Sequence, residues 1–293
     1  MKLNNLYEQM YLQVSLDNEA YVDREMKKVY RKFKKTMTDT ISSITDIFVE
    51  YGKEGKLNLT SKQKVHIRSK LNSELKKMGK LLANDEVNQL TAILQAIAIE
   101  TYYKTVFVMD YGVKTQIKFN LIRQEFIDSI VNAEFKGEIF SERIWKNKDK
   151  LIKKIRLEIE ESMKGNKTVD QVARAIKKEF AVTTYESKRL ARTEMARVQV
   201  NAQEEIGISS GATWVMWLAT LDKKTNREDA ALDGKKWRID EEHPKPPLHP
   251  NCRCCLINIP NEEWQPKNRK DNITKEIIPY QDYDEWKKDK GIK

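Results

Sequence analysis

The stretch Thr213-Trp-Val-Met-Trp-Leu-Ala219 decides the fold class. It is aromatic and β-branched, which predicts a strand. The chain before it has a different texture. All seven prolines lie beyond position 243, and the first 200 or so residues are rich in Lys, Glu, Leu, Ile and Ala. That composition favours long helices. One helix is predicted from about 18 to 51. Tyr21, Met26, Val29, Tyr30, Phe33, Met37, Ile41, Ile44 and Ile47 form its apolar stripe, and Gly52 and Gly55 stop it. A second helix is predicted after Thr60-Ser61. A third runs from about Val87 to Tyr111, nearly apolar all round between Leu90 and Ile99 and therefore central. A fourth spans about 144–164. Thr168-Val-Asp-Gln171 and Thr183-Thr-Tyr-Glu186 both have capping-box spacing, so each is expected to open a helix.

Beyond residue 219, Asp233-Gly234 predicts a turn into a second strand that includes Trp237. Cys255-Leu-Ile-Asn-Ile259 predicts a third, ended by Pro260. The fold class is therefore α+β, mainly α, with a long-helix N-terminal body and a small C-terminal β module. The division by composition is 1–139 for the helical body, 140–260 for a segment of helices followed by β structure, and 261–293 for a tail. The tail carries Trp264, Tyr280, Tyr283 and Trp286 among many charges, and is expected to be extended or docked on a partner.

The chain has 293 residues, 40% hydrophobic and 33% charged. This leaves enough apolar content for a core and argues against wholesale disorder. No run approaches the ~18 apolar residues of a membrane span, and the start lacks a signal-peptide stretch, so a soluble, membrane-free protein is expected. The formal net charge of +10 points to an acidic partner or to nucleic acid. Lys27, Lys28, Arg31 and Lys32 form a basic helix face and are the candidate nucleic-acid contacts. A lysine-based surface acts on phosphate and reads little sequence, so binding to double-stranded DNA would be sequence-independent. A solvated helix face is the competing reading.

The segment Pro244-Lys-Pro-Pro-Leu-His249-Pro-Asn-Cys252-Arg-Cys254-Cys255 holds all three cysteines. Its prolines exclude a helix interior or a central strand, so it is a rigid loop. His249, Cys252 and Cys254 are the donor types that zinc accepts, with a fourth ligand to come from Asp229, Asp222, His243 or Cys255. The alternatives are a hydrogen-bonded histidine with packed thiols, or a disulfide. Arg189, Arg192 and Glu194 lie on one helix and are expected to tie it to an adjoining loop rather than to catalyse. Asp222, Asp233 and Gly234 fit turn chemistry. No phosphate loop, nucleophile elbow or dinucleotide fingerprint occurs, so no enzyme is expected.

Several strings occur together in a fixed order: Phe140-Ser-Glu-Arg-Ile-Trp145, Gly165…Thr168, Arg189-Leu-Ala-Arg-Thr-Glu194, Gly211…Trp217, Asp222…Thr225, Leu232-Asp-Gly234 and Pro246-Pro-Leu-His-Pro-Asn-Cys-Arg-Cys254. The ordered set resembles the phage Mu F-like minor head protein family, also called the phage head morphogenesis family, over about residues 140–256. The resemblance implies a minor structural protein of a tailed-phage head, inside the virion and near the portal, assembled in the host cytoplasm. Its implied partners are the portal protein, the major capsid or scaffold protein, and DNA during packaging or ejection. The family pattern places Cys or His after the Asp…Thr loop, where this chain has Asn226 and Asp229. That excludes a four-cysteine site and leaves a His249/Cys252/Cys254/Asp229 site for Zn2+. A sequence-independent DNA-binding protein is the alternative, and a transferase or toxin using the Arg192/Glu194 helix is the third class.

Overall fold

The computed structural model describes residues 4–113 and 121–292. Its elements in chain order are α1 (Asn4–Tyr51), β1 (Gly52–Lys53), β2 (Lys56–Leu57), α2 (Ser61–Val113), α3 (Gln124–Val131), α4 (Phe140–Met163) and α5 (Val169–Ser209). They continue as β3 (Trp214–Leu218), α6 (Arg227–Leu232), β4 (Lys236–Arg238), β5 (Cys255–Ile259), β6 (Asn268–Lys270), β7 (Ile277–Pro279) and α7 (Tyr283–Asp289). The chain is mainly α with small antiparallel sheets, as the composition predicts.

Two compact units are present. A sheet unit collects Met1–Val22, Ile93–Ala133 and Leu190–Lys293, and a helical unit collects Asp23–Ala92 and Glu134–Arg189. Neither follows the division at 139 and 260, because α1, α2 and α5 each contribute to both units. A helix long enough to serve two cores leaves no composition break where one core ends.

Two predicted helices are one. The expected second and third helices form the single α2, which passes through Gly79 without interruption. Glycine is tolerated there because a Cβ would stand 2.8 Å from Ile152 Cγ1 of α4, so close helix packing outweighs the propensity cost. The Thr168 box forms as predicted: Gln171 Oε1 accepts from Thr168 N at 2.9 Å, and Thr168 Oγ1 accepts from Gln171 N at 3.4 Å. The second box does not. Thr183 and Thr184 lie inside α5, and their hydroxyls donate back to the Glu179 and Phe180 carbonyls at 2.9 and 2.8 Å. A threonine that satisfies itself on the preceding turn leaves the helix unbroken.

In the helical unit Met26, Val29 and Phe33 of α1, Leu71, Leu75 and Leu82 of α2, Ile144, Leu151 and Ile155 of α4, and Val172 and Ile176 of α5 are buried. Lys148 of α4 and Glu86 of α2 lie among them as an ion pair, each side chain 1% exposed. The Lys148 ammonium also sits 4.4 Å from the centroid of the Phe33 ring, a cation–π contact.

In the sheet unit the strand order is β4-β3-β5, all antiparallel. One cluster joins Met216, Leu218, Ile257 and Ile259 to Tyr7 and Tyr11 of α1, Tyr102 and Val106 of α2 and Ile206 of α5. Another joins Val215, Trp217 and Leu256 to Val200, Ile239, Cys252 and Cys254. Both faces are covered, which is why β3 reads as continuously apolar rather than alternating. Helix α5 approaches β5 closely at Gly207, where a Cβ would stand 2.5 Å from the Asn258 side chain. Asn258 Nδ2 in turn donates to the Gln203 carbonyl at 2.8 Å, and Tyr7 Oη donates to the Asn258 carbonyl at 2.7 Å.

The tail corrects the expectation of an extended or partner-docked segment. Strands β6 and β7 pair as a hairpin, and α7 starts with a full capping box at Asp282 and Glu285. Tyr283 and Trp286, expected as interface anchors, are buried against Leu221 of the same chain. Asp271 helps hold α7. Burial works against its charge, but Lys290 at 2.9 Å and backbone N–H groups win and hold the carboxyl down to about 2.

The buried Lys148–Glu86 pair yields a prediction. Lys148→Ala leaves Glu86 buried and unpaired, at an expected cost of about 3–5 kcal/mol in urea unfolding. The double variant Lys148→Met/Glu86→Leu recovers most of that loss, because no charge is stranded.

Candidate functional site

The motif residues converge in the sheet unit. Helix α6, which the sequence reading missed, carries Asp229. It begins at Asn226, whose Oδ1 accepts from the Glu228 and Asp229 amides at 2.6 and 3.3 Å. Asn226 is thus the N-cap of the helix that delivers the carboxylate. The signal was legible: Asn226 with acids at 228 and 229 is a helix start.

The loop after β4 contains a cis Pro246–Pro247 peptide and brings His249 and Cys252 to Asp229. His249 Nε2 lies 2.8 Å from Asp229 Oδ2, and His249 Nδ1 lies 3.0 Å from the Pro250 carbonyl oxygen. Cys252 Sγ lies 3.7 and 3.8 Å from the two Asp229 carboxylate oxygens. The ligand atoms of Asp229, His249 and Cys252 all stand within 4.8 Å of one another. Cys254 interacts with both Cys252 and Asp229. All three cysteines are free thiols, so the disulfide alternative is not what the structure contains. Of the other fourth-ligand candidates, Asp222 and His243 are held elsewhere. His243 Nδ1 lies 2.7 Å from the Glu241 carbonyl.

Charge follows this geometry. Burial disfavours the imidazolium, yet the Pro250 carbonyl and the Asp229 carboxylate outweigh it and raise His249 above its usual range. The Cys254 thiol favours a thiolate on Cys252 and lowers it. Cys254 is correspondingly pushed up by its bond to Cys252 and by burial.

The remaining motif residues are bonded into the frame. Thr193 Oγ1, between Arg192 and Glu194, accepts the Asn251 amide at 3.1 Å and so anchors the loop to α5. Asn251 adopts a positive φ of 62° there. Glu194 is fully buried and takes Arg197 Nε at 2.7 Å, while Arg197 Nη2 donates to the Val131 carbonyl at 2.9 Å. Arg192 is half-buried and pairs with Glu19 of α1 at 2.9 Å. In the helical unit Arg189 stacks over Tyr185. Asp222 forms a two-pronged pair with Arg253, Nη2 to Oδ1 at 2.9 Å. Burial opposes the Asp222 charge, but Arg253 and the Lys224 amide hold its carboxyl below the usual range.

Asp233 accepts four hydrogen bonds. They come from Ala219 N at 2.7 Å, Arg269 Nη1 at 2.6 Å, Arg269 Nη2 at 2.7 Å and Tyr283 N at 2.7 Å. Arg269 also donates to the Ala219 and Gln281 carbonyls, and both side chains are almost fully buried. Gly234, at φ 75°, supplies the left-handed turn beside it. Sequence reasoning gave Asp233 a turn role only, since its partner is 36 residues away in the tail.

The basic candidates lie on α1 of the helical unit, all exposed. Lys28 pairs with Glu25 at 2.7 Å and Lys32 with Asp85 at 2.8 Å. Among the described residues no ion pair engages Lys27 or Arg31, one turn apart.

The family model described as "Phage Mu protein F like protein" matches residues 153–257. The segment belongs to the phage Mu protein F-like family. It spans α5, the central sheet, α6 and the proline loop. The minor head protein GP7 of Bacillus phage SPP1 is 24% identical, with 94% of this chain and 95% of that protein covered. An NAD(+)--arginine ADP-ribosyltransferase EFV of Enterococcus faecalis is 32% identical over 213 residues, which cover 66% of this chain but only 43% of that protein. No solved structure matches the chain.

Arg269→Met should leave Asp233 buried without its cation and lower stability by about 3–5 kcal/mol. Thermal or urea unfolding of the full chain checks this, and Asp233→Asn/Arg269→Met should cost less than the two single losses added.

Proposed function

We propose that this chain is a minor structural protein of a tailed-phage head, built into the virion beside the portal and acting in head morphogenesis rather than in turnover. The observation that carries this reading is the similarity, along nearly the whole of both chains, to a protein named as a minor head protein. The geometry supports it. Asp222, Asp233, Thr193 and Glu194 are spent on arginines, amides and loop anchors inside the frame. The transferase name belongs to a protein of which this chain covers less than half. Co-expression with the portal protein tests the reading. The full chain should co-purify with the portal and be found by mass spectrometry in purified heads, and absence from both would overturn it.

Double-stranded DNA is the second partner we propose, on one observation. The helical unit holds 31 of the 54 basic residues and 19 of the 44 acidic ones, a formal +12. The sheet unit holds the other 23 and 25, a formal −2. The positive charge of the chain is thus a property of the helical unit, where no ion pair engages Lys27 or Arg31 among the described residues. Binding should be salt-sensitive and indifferent to sequence, each neutralised phosphate adding about −0.9 to the slope of log affinity against log salt. Lys27→Gln/Arg31→Gln should flatten that slope by up to about 2 if this face is the contact. A strong preference for one sequence at physiological salt contradicts it.

A further inference from the structure

At α6 and the proline loop the imidazole of His249 lies between two oxygen acceptors. His249 Nδ1 faces the Pro250 carbonyl at 3.0 Å, and Nε2 faces the Asp229 carboxylate at 2.8 Å. A neutral imidazole donates from one nitrogen only, so one of these contacts lacks a hydrogen unless the ring carries a positive charge. An imidazolium would serve both contacts; what bears on a metal is instead the convergence of the ligand atoms of Asp229, His249 and Cys252 within 4.8 Å of one another. Asp229 is 2% exposed, and Cys252 approaches both of its oxygens from 3.7–3.8 Å, with Cys254 alongside. Thiols are weak donors and poor company for a buried carboxylate. A cation between Asp229, His249 and Cys252, with Cys254 beside Cys252 and Asp229 as a fourth donor, would neutralise the buried carboxylate. With the Nδ1 hydrogen on the Pro250 carbonyl, Nε2 keeps its lone pair for the ion. This is the outer-shell arrangement of metal-bound histidines.

We propose that Asp229, His249, Cys252 and Cys254 form a structural Zn2+ site. The donor set is one imidazole nitrogen, two sulfurs and one carboxylate oxygen, which is the number and the chemistry that closed zinc sites use. Two sulfurs exclude calcium and magnesium, which take oxygen. Ligand atoms around a tetrahedral zinc stand about 3.3–3.8 Å apart, given bonds of about 2.0–2.3 Å. The separations from Asp229 to Cys252, 3.7 and 3.8 Å, are already in that range, and the 2.8 Å from Asp229 to His249 would widen on metal binding. The ion would fasten α6 to a loop 20 or more residues downstream, which Thr193 also ties to α5. Its place is in folding, because binding free energy at such a site is folding free energy.

The test uses the full chain, purified under reducing conditions without chelator. Elemental analysis should find one zinc per chain. After removal of zinc, Co2+ titration should produce thiolate-to-cobalt absorption in the near ultraviolet and the visible bands of a tetrahedral site. Chelator should lower the melting temperature, and added Zn2+ should restore it. Cys252→Ser and Asp229→Asn should each weaken Co2+ binding at least tenfold. If either variant fails to fold, the wild-type titration alone decides. No stoichiometric zinc and no cobalt–thiolate band in the wild-type chain would overturn the site and leave the imidazolium–carboxylate pair with packed thiols.

Discussion

The sheet unit depends on one buried ion pair. Asp233, in the turn before β4, receives Arg269 from β6, the Ala219 amide from the end of β3 and the Tyr283 amide at the start of α7. Three segments distant in sequence meet on one carboxylate. Two charges this deeply buried repay their desolvation only when the geometry is good and the remaining donors and acceptors are satisfied. Here they are: the guanidinium also holds the Ala219 and Gln281 carbonyls. The tail after Pro260 is therefore part of the frame, and Trp286 and Tyr283 are core residues rather than anchors for a partner.

A parallel division of labour runs through the motif. Thr193 fixes the proline loop to α5, Arg253 and Asp222 fix the loop beyond β3 to the start of β5, and Glu194 and Arg197 fix α5 to the carbonyls at the end of α3. Each link replaces water around a polar group with a charged or directed partner, which is worth more in a buried site than on a surface. The consequence is a module in which Thr193, Glu194, Asp222 and Asp233 are committed to internal partners. That suits a part built into an assembly. The helical unit contrasts with it: it carries the whole excess of positive charge, while its core holds apolar stripes and the buried Lys148–Glu86 pair.

Much of this was legible in the sequence, for local reasons. The strands at 214–218 and 255–259, the Thr168 capping box, the glycine stop after Tyr51 and the closeness of His249, Cys252 and Cys254 all follow from short-range pattern. What was missed depends on distance. Gly79 hides a continuous helix because its role is the approach of Ile152. Thr183 imitates a cap because spacing does not reveal which carbonyl the hydroxyl will choose. The tail looked like a partner-binding strap because aromatic residues among charges describe an interface and a small docked helix equally well. Asp233 and Arg269 were visible as residues but not as a pair, since no local rule joins positions 36 apart.

The direct test of this account is hydrogen–deuterium exchange on the full chain and on a form ending at residue 260. If Asp233 and Arg269 hold the sheet unit together, removing the tail should strip protection from the amides of β3 and β5, while those of α4 in the helical unit keep theirs. Unchanged protection in β3 and β5 after truncation would contradict the account, and would mean that the module folds without the pair on which its frame is said to rest.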